Sequence, residues 1–258
     1  MHQLRATIES NNALLPGTSI LWLRAPDVAR DAAPGQFLLA RCGDGYDPLL
    51  RRPLSIHRIQ TGPGREGRIA VLYSQSGAGT AYLRSRRPGD ELDIIAPLGR
   101  GFAVHRSSRN LLLLGSGWGL SPLIALAERE TAAGRNVTLL AGAPNAGQLY
   151  PPALLPPEVE LAVATGDGSA GRQGDVLDLV EEYWHWADEV YACGSTSMYV
   201  SLAQRTGGLW PRKPVQVLAE MPMACGVGAC YACTIDTRKG SRLACKDGPR
   251  MALSDLHL

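Results

Sequence analysis

Three kinds of feature are missing from this 258-residue sequence, and each absence closes off a class of protein. Charge of one sign is not in excess: 26 basic and 24 acidic residues leave a formal net charge of +2, so nothing points to nucleic acid. No long hydrophobic run is present either. Purely apolar stretches such as residues 111–114 are only a handful of residues long, far short of the roughly 20 residues that cross a bilayer, so a soluble protein without a membrane segment is expected. Nothing at the N-terminus reads as a signal peptide, which leads us to expect a reducing, cytoplasmic setting in which thiols stay free. The one basic knot, Arg84, Arg86 and Arg87, reads as a solvated helix end or as a docking patch.

The sequence is rich in other respects. Its length suits two domains of ordinary size with a small appendage, and 45% hydrophobic residues can fill their cores. Four of the six cysteines fall in one short stretch. Cys225, Cys230 and Cys233 are spaced C-x4-C-x2-C, and Cys245 follows after eleven intervening residues, which is the plant-type ligand pattern of a [2Fe-2S] cluster. Each of the two irons needs two thiolates, so a tight loop wraps most of the cluster and a distant ligand closes it. Gly226 and Gly228 let the backbone come close enough to donate N–H groups to sulfur. Four thiols also satisfy a structural zinc ion, but zinc ribbons pair their ligands as two C-x2-C knuckles, and only Cys230 and Cys233 form one here.

Residues 1–101 read as short strands separated by turn residues. Strands are expected at 3–9, 19–24, 37–41, 53–59, 68–74 and 91–95, with turns at Pro16-Gly17, Pro34-Gly35, Gly43-Asp44-Gly45, Gly62-Pro63-Gly64 and Pro88-Gly89. Six strands at this spacing suggest a small antiparallel β-barrel, interrupted by one helix at 78–86. Two spots in it look chemical. Arg51-Arg52-Pro53-Leu54-Ser55 offers a guanidinium that can fork onto a diphosphate, with a hydroxyl three residues on. Gly77-Ala78-Gly79-Thr80 opens the helix with glycines, a ready anion site that equally serves as a plain cap.

From residue 110 the rhythm changes to alternating strand and helix. Strands are expected at 111–114, 137–141, 160–164 and 189–192, and helices at 121–133, 173–182 and 196–205, while residues 215–219 lead out of the sheet into the cysteine stretch. Such alternation implies a doubly wound parallel sheet with ligands at the carboxyl ends of its strands. The distinctive loops fall at those ends: Gly115-Ser116-Gly117-Trp118-Gly119, Gly166-Asp167-Gly168-Ser169 and Cys193-Gly194-Ser195. The first is not G-x-G-x-x-G, but it lies between a strand and a helix, where its N–H groups point at a diphosphate. A cysteine at a strand end, as Cys193 is, is either a small core residue or a reagent, and Cys42 reads as core. A hairpin is expected at 234–237 and 242–244. The organisation is therefore 1–101, a β-barrel domain; 102–214, an α/β nucleotide-binding domain; and 215–258, a small cluster domain that folds with its metal.

These pieces carry a family resemblance. Through Pro34-Gly35-Gln36-Phe37, Arg52-Pro53-Leu54-Ser55, Gly77-Ala78-Gly79-Thr80, Pro97-Leu98-Gly99-Arg100-Gly101-Phe102, residues 115–122, Asp167-Gly168-Ser169, Cys193-Gly194, residues 223–230 and Cys245-Lys246-Asp247-Gly248-Pro249, the chain resembles electron-transfer subunits of class 1B dihydroorotate dehydrogenases, a branch of the ferredoxin reductase family. The resemblance implies FAD on the barrel, held by Arg52, Pro53, Leu54 and Ser55 and by Gly77, Gly79 and Thr80. It implies NAD on the α/β domain at Gly115, Gly117, Gly119, Asp167, Cys193 and Gly194, with Cys193 near the nicotinamide. It also implies a [2Fe-2S] cluster on the four C-terminal cysteines and an FMN-containing catalytic dihydroorotate dehydrogenase partner, two of each subunit in a heterotetramer. Electrons would pass singly from that partner through the cluster to FAD and then as hydride to NAD, in pyrimidine biosynthesis, with no side chain needed as acid or base. Two other readings stand beside this one: a reductase subunit of the same family serving ferredoxin, polysulfide or a hydrogenase, and a zinc-stabilised binding module without catalysis. The absence of Arg or Lys in residues 142–147 favours NAD over NADP.

Overall fold

The computed structural model describes residues 1–43, 45, 47–62 and 67–258. The expected turns at Gly43-Asp44-Gly45 and Gly62-Pro63-Gly64 include positions, Asp44, Pro63 and Gly64, that lie outside the described residues. The chain forms two compact units, one of Met1–Gly101, Glu220–Ile235 and Ser241–Pro249, the other of Phe102–Ala219, Asp236–Gly240 and Arg250–Leu258.

The first unit is built on β1 (His2–Leu15), β2 (Thr18–Arg24), α1 (Pro26–Asp31), β3 (Phe37–Ala40), β4 (Arg52–Gln60), β5 (Arg68–Ser74), α2 (Ala78–Ser85) and β6 (Glu91–Leu98). The six strands close into an antiparallel barrel in the order β1-β2-β5-β4-β3-β6. Alternate residues point inward, so Leu21, Leu23, Ile56, Ile69, Val71, Leu92 and Ile94 fill the interior. The first strand runs well past the expected residues 3–9, because a register shift between Ile8 and Ser10 lets it bend and go on pairing with β2. The short helix α1 was not expected. Pro26 occupies its first turn, where a missing N–H costs nothing, and Val28 and Ala29 bury its inner face.

The second unit contains β7 (Asn110–Ser116), α3 (Leu120–Ala132), β8 (Asn136–Ala143), β9 (Glu160–Thr165), β10 (Arg172–Gln173), α4 (Val180–Trp184), β11 (Glu189–Cys193), α5 (Thr196–Thr206) and β12 (Val215–Leu218). Three short strands follow, β13 (Thr234–Thr237), β14 (Gly240–Leu243) and β15 (Arg250–Ala252). The seven-stranded sheet has the order β10-β9-β8-β7-β11-β12-β15. All its pairs are parallel except the antiparallel edge pair of β12 with β15. Strand order therefore reverses between β7 and β11, the place where doubly wound sheets bind ligands.

The helix expected at 173–182 is shorter and later. Gln173 lies in β10, Gly174 turns with φ +135°, and Asp175 caps a 3-10 turn by accepting from Leu177 N–H at 2.9 Å, so α4 starts only at Val180. Residues 215–258, expected as one small piece, contribute to both units. So short a segment cannot build a core alone. Met223, Cys233, Ala244 and Cys245 pack with Phe37, Leu39 and Leu98 of the barrel wall, whereas β12 and β15 extend the parallel sheet. Among the described residues no helix is long and apolar enough to cross a membrane.

At the amino end of β11, opposite the ligand end, Glu189 is buried. It accepts hydrogen bonds from His105 N–H (2.9 Å), the Ser108 hydroxyl (2.6 Å) and the Tyr191 hydroxyl (2.5 Å), which ties the segment entering the sheet to its centre.

Candidate functional site

The cysteine loop comes first, because its geometry is the most specific. None of the six cysteines forms a disulfide. The thiol of Cys225 lies within hydrogen-bonding reach of Cys230, and that of Cys245 within reach of Cys233. Sulfur also receives backbone donors. Val227 and Ala229 N–H groups donate to Cys225 Sγ at 3.4 and 3.3 Å, and Cys245 N–H donates to Cys233 Sγ at 3.4 Å. Burial pushes the Cys225 thiol up, but the N–H groups of Val227, Cys230 and Ala229 outweigh it and bring the group down to about 6. Cys245 is pushed up to about 12, first by burial and then by its hydrogen bond to Cys233 and that group's charge. Among the described residues no group of three or more His, Cys, Asp or Glu side chains is placed to hold one metal ion. Two thiol pairs supplied with N–H donors fit a group with two metal centres.

Backbone geometry explains how the loop reaches this arrangement. Gly226 and Gly228 have φ of +71° and +80°, and Tyr231 adopts φ +60° between two cysteines. The rim of the loop faces solvent, with Cys230, Val227 and Tyr231 exposed. Cys245 arrives on a locked turn. Asp247 Oδ2 accepts from Leu243 N–H at 2.9 Å, and the Leu243 carbonyl accepts from Lys246 and Asp247 N–H groups at 3.0 and 2.7 Å. The Gly248 carbonyl then accepts from Arg100 N–H at 2.5 Å, and a β-carbon on Gly99 would meet Pro249 Cδ at 2.6 Å. Cys-Lys-Asp-Gly-Pro is thus a turn whose Gly248-Pro249 end sits against Gly99 and Arg100, another of the motifs on which the resemblance rests.

The barrel brings its two chemical spots together. A β-carbon on Gly79 would stand 2.7 Å from Arg52 Nε, so the arginine side chain lies across the start of α2. Arg51 is occupied elsewhere, donating to Asp93 Oδ2 at 2.8 Å and to the Asp93 carbonyl at 3.0 Å. Thr80 Oγ1 accepts from Ser76 and Gly77 N–H groups at 2.9 and 3.2 Å. The first-turn N–H groups of Ala78, Gly79 and Thr80 have no carbonyl within the helix to receive them. Leu54 points into the barrel core, Pro53 is exposed and Ser55 is half-buried. Cys42 is fully buried in the barrel, with its thiol pushed up to about 11 by that burial.

At the switch point the glycines serve close approach. Cys193 pairs with Gly115 in register. A β-carbon on Gly115 would meet the Cys193 carbonyl oxygen at 3.0 Å, and one on Gly119 would overlap that oxygen outright. Only Gly117, at φ +54°, needs the left-handed region. Gly194 N–H donates to the Tyr199 hydroxyl at 3.1 Å, which in turn donates to the Leu218 carbonyl at 2.6 Å. Cys193 itself is buried. Two strands away from β7, in the loop after β9, Asp167 accepts from Ser169 N–H (2.9 Å) and the Ser169 hydroxyl (2.5 Å), and these bonds hold its carboxyl below the usual range. Ser169 Oγ also accepts from Ala146 N–H at 2.8 Å, joining the loops after β8 and β9. The Glu189 network and the Arg51–Asp93 pair had no sequence signal, since each joins residues far apart in the chain.

A closed antiparallel barrel, a doubly wound sheet and a paired-cysteine loop define an electron-transfer protein of the ferredoxin reductase class. The solved NADH-dependent reduced ferredoxin-NADP oxidoreductase superposes with a TM-score of 0.83 at 28% identity, covering 97% of this chain and 88% of that one. Phthalate dioxygenase reductase shares the fold at a TM-score of 0.61 and 17% identity, covering 92% of this chain and 87% of its own. Residues 220–257 match the family model for the iron-sulfur cluster binding domain of dihydroorotate dehydrogenase B. The dihydroorotate dehydrogenase B (NAD(+)) electron transfer subunit of Geobacillus thermodenitrificans is 37% identical over 251 residues, 95% of each chain. Its counterpart in Fusobacterium nucleatum is 31% identical, covering 98% of this chain and 97% of its own. The chain belongs to the family of dihydroorotate dehydrogenase B electron transfer subunits.

Proposed function

We propose that this chain passes electrons between a catalytic dihydroorotate dehydrogenase subunit and NAD through a [2Fe-2S] cluster and FAD, in pyrimidine biosynthesis. The observation that carries the reading is the packing of the paired cysteines on the barrel wall: Cys233 and Cys245 share a cluster of buried side chains with Phe37, Leu39 and Leu98. One unit therefore holds both the flavin motifs and the thiols, as one-electron exchange over a short distance requires.

Cys225, Cys230, Cys233 and Cys245 hold the cluster, two thiolates to each iron, and the N–H groups of Val227 and Ala229 stabilise charge on sulfur. Arg52 and the first-turn N–H groups of α2 hold the flavin diphosphate, with Gly77 and Gly79 keeping the approach open and the Thr80 hydroxyl fixing the turn. Pro53, Leu54 and Ser55 carry β4 past the ring system. In the second unit Gly115, Gly117 and Gly119 bring the start of α3 to the dinucleotide, Cys193 and Gly194 form the opposite wall, and Asp167 meets the adenosine ribose. When bound, FAD exchanges an electron pair with the nicotinamide and single electrons with the cluster. The chain supplies distance, orientation and electrostatics, and no side chain is required as acid or base. Val227 and Tyr231 on the exposed rim form the face toward the catalytic partner, in a heterotetramer of two subunits of each kind. Reduced thiols suit the cytoplasm.

Purified without air, the chain should carry about one FAD and two irons. Co-expression with a catalytic dihydroorotate dehydrogenase from the same genome should give a stable complex that forms orotate with NAD. Zinc in place of iron would sink the reading. Iron and FAD without association, together with NADH-driven reduction of ferredoxin, would move the chain to another acceptor.

A further inference from the structure

Trp118 stands in the middle of the 3-10 turn Gly117–Gly119, at the carboxyl end of the central strand β7, and is 57% exposed. The indole is the largest side chain available, and leaving most of it in water forgoes the burial that normally places it. Its backbone is nonetheless held firmly. Gly119 presses on the Cys193 carbonyl, with its missing β-carbon only 3.4 Å from Gly194 Cα, and the next residue, Leu120, is buried. The exposed ring is thus carried on a fixed turn at the strand-order switch point. Trp210 makes a useful contrast. It is 76% exposed, but it lies on the loop entering β12, at the amino end of the parallel strands, where sheets of this kind do not bind ligands.

We propose that the Trp118 indole stacks on the nicotinamide ring of the bound dinucleotide and sets affinity for that half of the molecule. The proposal rests on the nucleotide reading of the second unit given above. The side of the sheet decides which ring is involved. In doubly wound sheets the adenosine ribose is read toward the second strand of the unit, here β8 and its neighbour β9, where Asp167 and the loop of residues 142–147 lie. Trp118 follows β7, on the side of β8 away from β9, and its neighbour Gly119 packs against the turn after β11. Oxidised nicotinamide is a flat cation, and an indole face attracts such a ring by stacking and by its quadrupole.

The test compares NAD+ with ADP-ribose, which keeps the adenosine and both phosphates and lacks the nicotinamide, by calorimetric titration of the FAD- and cluster-loaded protein. Trp118→Ala should weaken NAD+ about 5- to 100-fold, the range for loss of one stacked ring, while ADP-ribose affinity stays within about twofold. Trp118→Phe, which keeps an aromatic face, should retain most of the NAD+ affinity. Unchanged NAD+ affinity in Trp118→Ala would overturn the proposal and leave the nucleotide site standing, and so would equal losses for both ligands. A wild-type protein that binds neither ligand would overturn the nucleotide site itself, and the proposal with it.

Discussion

Gly226 lies so close to Leu39 that a β-carbon on the glycine would meet Leu39 Cδ1 at 2.5 Å and Leu98 Cδ1 at 3.0 Å. The cluster loop therefore touches the barrel through a residue that has no side chain and whose φ of +71° disfavours any. Gly226→Ala combines left-handed strain of ~1–2 kcal/mol with overpacking of ~1–3 kcal/mol. We expect iron content to fall and thermal unfolding of the loaded protein to shift downward. Leu39→Ala alone opens a cavity at a cost of ~2–5 kcal/mol. Because it also makes room, the double variant should be more stable than the sum of the single losses. Strict additivity would show that the two residues do not press on one another.

Replacement of Cys225, Cys230, Cys233 or Cys245 by alanine should abolish iron binding. Each removes one thiolate from a pair, and the loop depends on the metal for its organisation. The barrel core contains none of the four, so FAD should stay bound and NADH should still reduce it, while transfer to or from the partner stops. Cys42→Ala and Cys193→Ala should leave the iron content unchanged. Iron and labile-sulfide analysis with visible spectra checks each variant. A Cys245→Ala protein with a normal [2Fe-2S] spectrum would overturn the ligand set.

Much of this could be read from the sequence because the signals are local. Turn residues set the barrel strands, strand-helix alternation set the sheet, and the cysteine spacing marked the loop. What escaped depends on contacts between distant residues. No pattern in Arg250–Ala252 says that β15 will pair antiparallel with β12, and its three residues are too few to show a period. The meeting of Gly79 with Arg52, and of Gly99 with Pro249, arises only when the barrel closes. The sequence of the turn at 115–119 speaks for N–H groups aimed at a diphosphate and says nothing of what its glycines touch. A β-carbon on Gly115 or Gly119 would meet the Cys193 carbonyl oxygen, so both glycines also let two loops of the protein approach one another.

The nucleotide should be NAD. Residues 142–147 carry no Arg or Lys, and the loop is joined through Ser169 to the Asp167 carboxylate. A 2′-phosphate there would find a like charge and no Arg or Lys on that loop. Flavin reduction by NADPH should be less efficient than by NADH by about tenfold or more, and Asp167→Asn should narrow the gap. Stopped-flow reduction with the two nucleotides measures it. Preference for NADPH in the wild type would refute the assignment.

Tyr191 gives the protein an alkaline limit. Burial, then its hydrogen bond to Glu189 and the charges of Glu189 and Glu130, raise its hydroxyl well above the ordinary tyrosine value of about 10. The folded chain then keeps a proton that the unfolded chain releases. The stabilisation is complete below about pH 10 and is lost progressively as the pH climbs beyond it. Tyr191→Phe removes the titrating group and also a donor to a buried carboxylate, so at pH 8 it should be less stable by ~1.5–3 kcal/mol. Above pH 10 its unfolding temperature should fall less steeply than that of the wild type, so the two curves converge. Thermal unfolding followed from pH 8 to about 11 tests this, and parallel curves would show that another group sets the limit.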